Sequence, residues 1–189
     1  IRPMTDLLVA NDVRKEFGMA FQEGALFDSM SVFDNVAFPL RRSGRPAREV
    51  AKRVRECLDI VHLPNIENRR PSELSGGMRR RVGFARAIAH QPDILLFDEP
   101  NTGLDPIMTA VVDKLTLELT KDEGMTAVVV THDMTSAFRI ATRMIMLGRG
   151  RILAQGTPDE IRTNPDPEVQ QFINGEADGG PLRVGLPVV

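Results

Sequence analysis

The chain has 189 residues, of which 42% are apolar and 26% charged, and its formal net charge is -2. This length is enough to bury a hydrophobic core in one or two small domains. The near-neutral charge gives no reason to expect a nucleic-acid partner. No apolar run reaches the roughly 18 residues that a membrane-spanning helix requires, and the single cysteine, Cys57, excludes an internal disulfide.

The first half of the chain is predicted to contain one strand followed only by helices. In chain order the pattern predicts a strand over 17–21, a short helix over 31–36, a loop over 39–45, an amphipathic helix over 46–61 and a helix from 76 to about 90. Ser31 and Asp34 have the spacing of a capping box at the start of the first helix. Pro46 suits the first turn of the next helix, where its missing N–H costs nothing.

The second half of the chain alternates between strands and helices. In chain order the pattern predicts a strand over 94–97, a helix over 106–119, a strand over 126–130, a helix over 134–141, two strands over 144–147 and 151–154, and a helix that begins at 157–160. Gly148-Arg149-Gly150 is a hairpin signal between the paired strands. The alternation predicts an α/β fold with a mainly parallel sheet and an all-helical insertion at 31–90. From Asn174 onward, Gly and Pro predict a flexible tail.

Two carboxylates, Asp98 and Glu99, follow the apolar strand over 94–97. Parallel α/β sheets bind their ligands at the carboxyl ends of the strands, where these acids are expected to emerge. Nucleotide hydrolysis needs one group that holds Mg²⁺ and one that polarises the attacking water. Asp98 is a candidate for the first role and Glu99 for the second. Taken alone, the pattern favours the alternative, a strand that merely ends in acids at a protein surface.

Leu74-Ser75-Gly76-Gly77 precedes a predicted helix. Two glycines let the backbone approach a ligand closely, and the free N–H groups at a helix start favour an anion. The alternative is an ordinary turn in which Ser72 or Ser75 caps the helix. The position of the turn about 20 residues before Asp98-Glu99, with an arginine-rich helix between, favours the ligand-binding interpretation.

Two further polar residues follow predicted strands. His132 comes after the strand over 126–130, where an imidazole can donate to a phosphate and orient a water. Gln22 follows the strand over 17–21. His62 and His90 have no comparable setting and are interpreted as structural.

The densest charge run, Arg79-Arg80-Arg81, has two interpretations. One is the solvated face of a helix, and the other is a contact with a partner or a phosphate. Cys57 lies among apolar residues at helical spacing, which indicates a buried structural thiol.

The chain resembles the nucleotide-binding subunit of ATP-binding-cassette (ABC) transporters in three motifs and in their order. The motifs are Leu74-Ser75-Gly76-Gly77, the strand that ends in Asp98-Glu99, and Thr131-His132-Asp133. The resemblance covers nearly the whole chain and implies a P-loop NTPase-like ABC ATPase fold that binds ATP and Mg²⁺. It divides the chain into a partial RecA-like core at 1–30, a helical subdomain at 31–90, further RecA-like core at 91–163 and a C-terminal extension at 164–189.

The resemblance also implies roles for individual residues. Asp98 and Gln22 contact Mg²⁺, and Glu99 is the general base, assisted by Gln22 and by His132 as the γ-phosphate sensor. Ser75, Gly76 and Gly77 face the γ-phosphate bound to the opposite subunit. Asp105, in Gly103-Leu104-Asp105-Pro106, belongs to a loop that crosses the dimer interface, although the preceding Asn101-Thr102 departs from the commonest Ser-Ala form.

Within this family, four segments resemble the ATPase of the Mla (Mce-type) phospholipid transporters. They are residues 21–36, 74–78, 164–167 and 171–175. This resemblance implies a homodimer on the cytoplasmic face of the bacterial inner membrane. Its partners are integral membrane permease subunits, which handle the phospholipid moved between inner and outer membranes, and nucleic acid is not a partner.

The chain contains no GxxxxGK[ST] string, whose amides and lysine grip the β- and γ-phosphates in this family. We therefore expect an N-terminally truncated fragment.

The 189-residue polypeptide by itself is predicted to show no appreciable ATP hydrolysis in a phosphate-release assay. Turnover by the isolated chain that depends on Glu99 would contradict this.

Two other classes of protein remain as alternatives. One is a non-transport ABC-type ATPase that clamps DNA or ribosomes, which the compact 31–90 segment and the neutral charge balance disfavour. Co-purification with membrane subunits rather than nucleic acid would separate it from a transporter. The other is a non-catalytic regulatory subunit that retains the fold.

Overall fold

The computed structural model describes residues 13, 15–121 and 123–175. The chain divides into two compact units, of which the first ends at Asp133 and the second begins at Met134. Strands and helices alternate as predicted, and the α/β fold is confirmed. The predicted boundaries at 30, 90 and 163 stay a prediction.

The elements of the first unit can be given in chain order. They are β1 (Phe17–Ala20), α1 (Val32–Arg42), α2 (Ala47–Ile60), a 3₁₀ turn (Pro71–Glu73), α3 (Gly76–Ile88), β2 (Ile94–Asp98), α4 (Pro106–Lys121) and β3 (Thr126–Val130). The strands form a parallel sheet in the order β1-β2-β3, with Ala20 beside Phe97 and Asp98 beside Val130. Parallel pairing brings the carboxyl ends of all three strands to the same edge.

The core of the first unit joins the sheet to the helices. Phe84 of α3 packs edge-on against Phe97 of β2, with ring centroids 4.9 Å apart. Leu40, Leu58 and Ile88 bring α1, α2 and α3 into the same buried cluster. Burial of these side chains, at roughly 1.5–3 kcal/mol each, holds the helical segment on the strands.

Helix α1 corrects the prediction of a loop over 39–45. The helix continues through Pro39 and ends at Arg42, where the Ser43 hydroxyl donates to the Leu40 carbonyl over 2.7 Å. Proline inside a helix removes one hydrogen bond and crowds the preceding turn, so local propensity favours a break there. Burial of Ala37 and Leu40 on either side of the proline outweighs that preference.

Helix α3 lies unusually close to the loop that follows β1. A Cβ atom added at Gly83 would lie 2.7 Å from the Cα atom of Gly24, which is itself backbone and cannot rotate away. Gly24 has a φ of +80°, a conformation that glycine adopts most easily. The two glycines therefore set the distance between α3 and this loop.

Replacing Gly83 with alanine is expected to destabilise the protein by about 1–3 kcal/mol, because the methyl group forces two backbone segments apart. The measurement is the urea unfolding midpoint. The matched control is Gly76→Ala on the same helix, where the added Cβ meets only the end of Arg79, at 3.9 Å. Equal stability of the two variants would contradict the packing argument.

The second unit contains a hairpin and three helices. They are α5 (Met134–Ile140), β4 (Met144–Gly148), β5 (Arg151–Gly156), α6 (Pro158–Arg162) and α7 (Pro167–Asn174). The strands pair antiparallel, which confirms the predicted hairpin. Thr157 and Glu160 form the capping box of α6, as their spacing predicts. Ala154, Ile161 and Val169 form the core of this unit.

The predicted flexible tail lies largely outside the described residues. Asn174 is the last residue of α7, and Gly175 caps the helix with a φ of +65°. Residues 176–189 fall outside the described ranges. Within those ranges, every helix is too short or too polar to cross a bilayer.

Candidate active site

The carboxyl ends of the three parallel strands carry the predicted polar residues. Gln22 follows β1, Asp98 ends β2 and Glu99 comes next, and His132 follows β3. The strand register places these ends side by side. The edge of the sheet therefore brings together a carboxylate pair, an imidazole and a carboxamide, as the sequence predicts.

Glu99 has hydrogen-bond partners on both carboxylate oxygens. His132 Nδ1 lies 2.9 Å from Glu99 Oε1, and the Thr102 hydroxyl donates to Oε2 over 3.0 Å. The Glu99 side chain is partly buried, whereas that of His132 is 69% exposed. The carboxylate is thus held in one orientation at the sheet edge, beside an imidazole that solvent or a ligand can reach.

The backbone at Glu99 adopts a conformation that only glycine takes readily. Its φ is +47°, and a non-glycine residue held there costs of order 1–3 kcal/mol. The Glu99 N–H donates to the Val130 carbonyl over 2.9 Å, which locks the turn onto the neighbouring strand. A strained acidic residue at the ligand-binding edge of a sheet indicates a functional constraint.

The electrostatics of the pair favour a charged carboxylate. Partial burial pushes the pKa of Glu99 upward, but hydrogen bonds from His132 and Thr102 outweigh it, so its pKa lies below the ordinary 4.5. The hydrogen bond and the charge of Glu99 together raise the pKa of His132 above 6.5. Glu99 is therefore ionised at neutral pH, as a general base must be.

We expect the His132 imidazole to titrate above pH 6.5 in an NMR pH titration, and Glu99→Gln to lower that midpoint. The reason is that the neutral amide no longer stabilises the imidazolium. His90 is an internal control, because burial lowers its pKa and it contacts the Phe17 carbonyl rather than Glu99. A His132 midpoint unchanged by the substitution would show that the pair does not form in solution.

Asp98 and Gln22 carry the side-chain oxygens predicted to contact Mg²⁺. Both are exposed and follow adjacent strands. Mg²⁺ is bound in nucleotide enzymes by one or two protein oxygens, with phosphates and water completing its shell. Within the described ranges no cluster of three or more His, Cys, Asp or Glu residues could hold a metal by itself. The donors therefore suit an ion that arrives with a phosphate ligand.

Ser75, Gly76 and Gly77 lie on a different element, at the start of α3. The Ser75 hydroxyl accepts from the Met78 N–H over 3.3 Å and caps the helix, so the ordinary capping role is present. Gly77 is buried against Met108 of α4, which gives a packing reason for a small residue. Among the described residues, no hydrogen bond joins Ser75 or Gly76 to Glu99 or His132.

Gly76 is the glycine that the fold does not explain. It is exposed, its φ is not positive, and a Cβ atom would find open space apart from the end of Arg79. Gly76 is the first residue of α3, and an alanine there would meet no backbone clash. Neither the backbone conformation nor packing among the described residues therefore requires a glycine at this position.

The loop after Glu99 is anchored to helix α4. Asn101 is buried, and its amide donates to the Asp113 carboxylate over 2.9 Å. Asn101 and Thr102 stand where the family most often has Ser-Ala, and the asparagine is held there by this buried hydrogen bond. Asp105 accepts from the N–H groups of Ile107 and Met108 at 2.9 and 3.0 Å and so caps α4.

Comparison with known proteins assigns the family. The profile of the family described as ABC transporter matches residues 2–102, more than half of the chain. The chain belongs to the ABC transporter family. The intermembrane phospholipid transport system ATP-binding protein MlaF of Escherichia coli K12 is 48% identical over 168 residues, which are 88% of this chain and 62% of that relative. The chain thus spans about 62% of the length of a curated relative that it matches.

Two solved structures share the fold of this ABC family member. The first is cbiO1 of Clostridium perfringens, described as part of the ABC transporter complex cbiONQ, with a TM-score of 0.78 and 28% identity over 91% of this chain and 68% of that one. The second is the ATP-binding cassette MJ0796, a dimer in a post-hydrolysis state bound to ADP and Pi, with a TM-score of 0.71 and 32% identity over 82% of this chain and 68% of that one.

The arginine run of this ABC protein corrects the solvated-face interpretation. Arg79 donates to the Leu74 carbonyl, Arg81 to the carbonyls of Val61 and His62, and Arg80 to two other loops. Arg80 is only 6% exposed. Because its acceptors are main-chain carbonyls distant in sequence, neither periodicity nor a side-chain motif could identify it.

The structural interpretations of Cys57, His62 and His90 are supported. Cys57 is buried, and burial raises the pKa of its thiol to about 12, so it is no nucleophile at neutral pH. His62 Nε2 lies 3.1 Å from Glu118 Oε2, and His90 Nε2 lies 3.0 Å from the Phe17 carbonyl.

Proposed function

We propose that this chain belongs to the ATP-binding subunit of an ABC transporter, in which ATP hydrolysis drives phospholipid transport between the inner and outer membranes of a bacterium. The observation that carries the proposal of hydrolysis is the ionised Glu99 carboxylate, held by His132 and Thr102 at the carboxyl edge of a parallel sheet. The proposal of phospholipid as cargo rests on the 48% identity to an ATP-binding protein whose name states that function.

In the proposed reaction Glu99 accepts a proton from the water that attacks the γ-phosphate of ATP. Its depressed pKa keeps it available as a base at neutral pH. His132 is exposed enough to donate to the γ-phosphate while it contacts Glu99. Asp98 and Gln22 would hold Mg²⁺, which neutralises phosphate charge when it is bound.

The proposed site is completed by a second copy of the chain. Ser75 and Gly76 present a helix N-terminus to solvent, and helix N-termini favour phosphate. They lie on a different element from Glu99 and, among the described residues, form no hydrogen bond with it, which supports a role at the nucleotide of the opposite subunit. Asp105 belongs to the proposed interface between the two subunits, and the segment around Gln22 contacts the permease.

The remaining proposals concern organisation and place in the cell. The RecA-like core comprises 1–30 and 91–163, the helical subdomain 31–90 and the C-terminal extension 164–189. The ATPase lies on the cytoplasmic face of the inner membrane, bound to integral permease subunits that handle the lipid.

A reconstitution experiment tests the proposed function. The product of the complete gene is tagged in its own bacterium, purified from detergent-solubilised membranes with its integral membrane partners, and reconstituted into liposomes that contain a fluorescent phospholipid. ATP is expected to drive transfer of that lipid to a lipid-binding acceptor, and Glu99→Gln to prevent it. Purification with nucleic acid and without membrane subunits would contradict the proposal.

A further inference from the structure

Arg80 is a buried cation whose hydrogen bonds, among the described residues, go to main-chain oxygens, with Glu23 as a charged neighbour. It lies on α3, one turn after Gly76, and is 6% exposed. Its Nε donates to the Gln22 carbonyl over 2.5 Å, and its Nη2 donates to the Thr102 carbonyl. One guanidinium thus joins the helix to the loop after β1 and to the loop after β2.

Both of these loops carry groups of the candidate active site. Gln22 is the carboxamide residue at the end of β1, and its own carbonyl is the acceptor. Thr102 donates its hydroxyl to Glu99 Oε2 over 3.0 Å while its carbonyl accepts from Arg80. The path from α3 to the carboxylate therefore contains two hydrogen bonds, from Arg80 to Thr102 and from Thr102 to Glu99.

This arrangement is costly for the fold. A buried guanidinium is ordinarily paired with a carboxylate, because taking an unpaired charge out of water costs several kcal/mol. Among the described residues Arg80 forms no ion pair, and its Nη1 is buried without a hydrogen-bond partner. Burial accordingly lowers the pKa of Arg80, against a smaller opposing effect of the Glu23 charge. The arginine donates to the Gln22 and Thr102 carbonyls in return, and a neutral apolar residue of the same length would make neither hydrogen bond.

The same loop is fastened to α3 at two further points. Arg86 donates to the carbonyls of Gly24 and Ala25, each over 2.8 Å. These bonds attach the loop after β1 to the helix but do not reach Thr102. Arg80 is the described side chain of α3 that donates to both loops, and this distinguishes it from its neighbours.

We propose that Arg80 is a positioning residue. It couples the placement of α3, whose first turn carries Ser75 and Gly76, to the two loops. Through Thr102 it acts on the orientation of Glu99, and through its other hydrogen bond it acts on the placement of Gln22. The inference rests on the proposed ATPase function. Arg80 touches no reacting atom. When the first turn of α3 engages a phosphate, a shift of the helix is passed to the two loops through these hydrogen bonds, so that the position of the carboxylate responds to the opposite half of the site.

A double-mutant cycle on the complete gene product tests the coupling. The variants are Arg80→Met, Thr102→Val and the two combined, compared by kcat for ATP hydrolysis and by the Kd of a fluorescent ATP analogue. Each single variant is expected to lower kcat about tenfold with little change in Kd. The double variant is expected to be no slower than the slower single variant, because both changes break the same path.

Arg81→Met is the matched control. Arg81 is the next residue on the same helix and also donates to carbonyls, but its acceptors, Val61 and His62, lie away from the active site. Its effect on kcat is expected to be small and to multiply with that of Thr102→Val. The proposal would be overturned if the fold-losses of kcat in Arg80→Met and Thr102→Val multiplied in the double variant. It would also be overturned if Arg81→Met lost as much kcat as Arg80→Met.

Arg80→Lys keeps the experiment decisive if the methionine variant does not fold. Its ammonium group retains the charge but lacks the planar fork that reaches two separate carbonyls. It is expected to fold and to lose part of kcat, and a fully active Arg80→Lys variant would contradict the proposal. Glu99→Gln separates the two hypotheses. If the parent shows no ATP turnover, the proposed function fails; if the parent is active and Glu99→Gln is inactive while the effects of Arg80→Met and Thr102→Val multiply, only the role of Arg80 fails.

Discussion

Glu99→Gln in the complete gene product is expected to reduce ATP turnover by about 10²-fold or more, which is the usual contribution of a general base. Glutamine has the shape of glutamate, so it keeps its place between His132 and Thr102 and preserves the fold. It cannot accept the proton of the attacking water. ATP affinity is expected to be retained, because Glu99 binds no part of the nucleotide in the proposed site.

The measurements are phosphate release and the binding of a fluorescent ATP analogue. Glu118→Gln is the matched control, because it also removes a glutamate that contacts a histidine, His62, over 3.1 Å. It is expected to leave turnover unchanged, since Glu118 lies on α4 away from the sheet edge. Parental rates in Glu99→Gln would show that another group is the base.

Gly76→Asp in the complete gene product is expected to separate stability from activity. The new side chain finds open space, and a carboxylate in the first turn of α3 interacts favourably with the helix dipole, by about 0.3–1 kcal/mol. The free energy of unfolding is therefore expected to stay constant or to rise. The same charge repels a phosphate that approaches the helix N-terminus, so turnover is expected to fall by about 10²-fold or more.

Urea unfolding and phosphate release measure the two effects on the same sample. Ser72→Asp is the control, because Ser72 is exposed and precedes α3 by one turn. It introduces the same charge without blocking the helix N-terminus and is expected to keep turnover within about twofold of the parent. Full activity of Gly76→Asp would contradict a ligand-binding role for this turn.

Local patterns in the sequence determined the strands and the residues that follow them. Short apolar runs are typical of buried parallel strands, and Gln22, Asp98 and His132 each come within two residues of a strand end. The carboxyl ends of parallel strands share one edge of a sheet, so their convergence follows from the pattern alone. The hairpin of β4 and β5 follows in the same way from Gly148-Arg149-Gly150.

Helix α1 shows where local patterns are insufficient. Pro39 disfavours a helix by its own chemistry, and a single sequence does not reveal how much apolar surface the flanking residues bury. Burial of Ala37 and Leu40 decides the outcome. The prediction of a loop was wrong because tertiary packing outweighs backbone propensity at that position.

The sequence by itself determined which acidic, imidazole and carboxamide groups reach the edge of the sheet. This is because a strand and the polar residue that follows it are recognised from a short stretch of neighbouring residues. Only the tertiary structure decided that His132 and Thr102 hold Glu99, and that Arg80 joins α3 to two loops. These hydrogen bonds connect residues 3 to 58 positions apart. Several of their acceptors are main-chain carbonyls, which every residue carries, so no residue type in the sequence marks them.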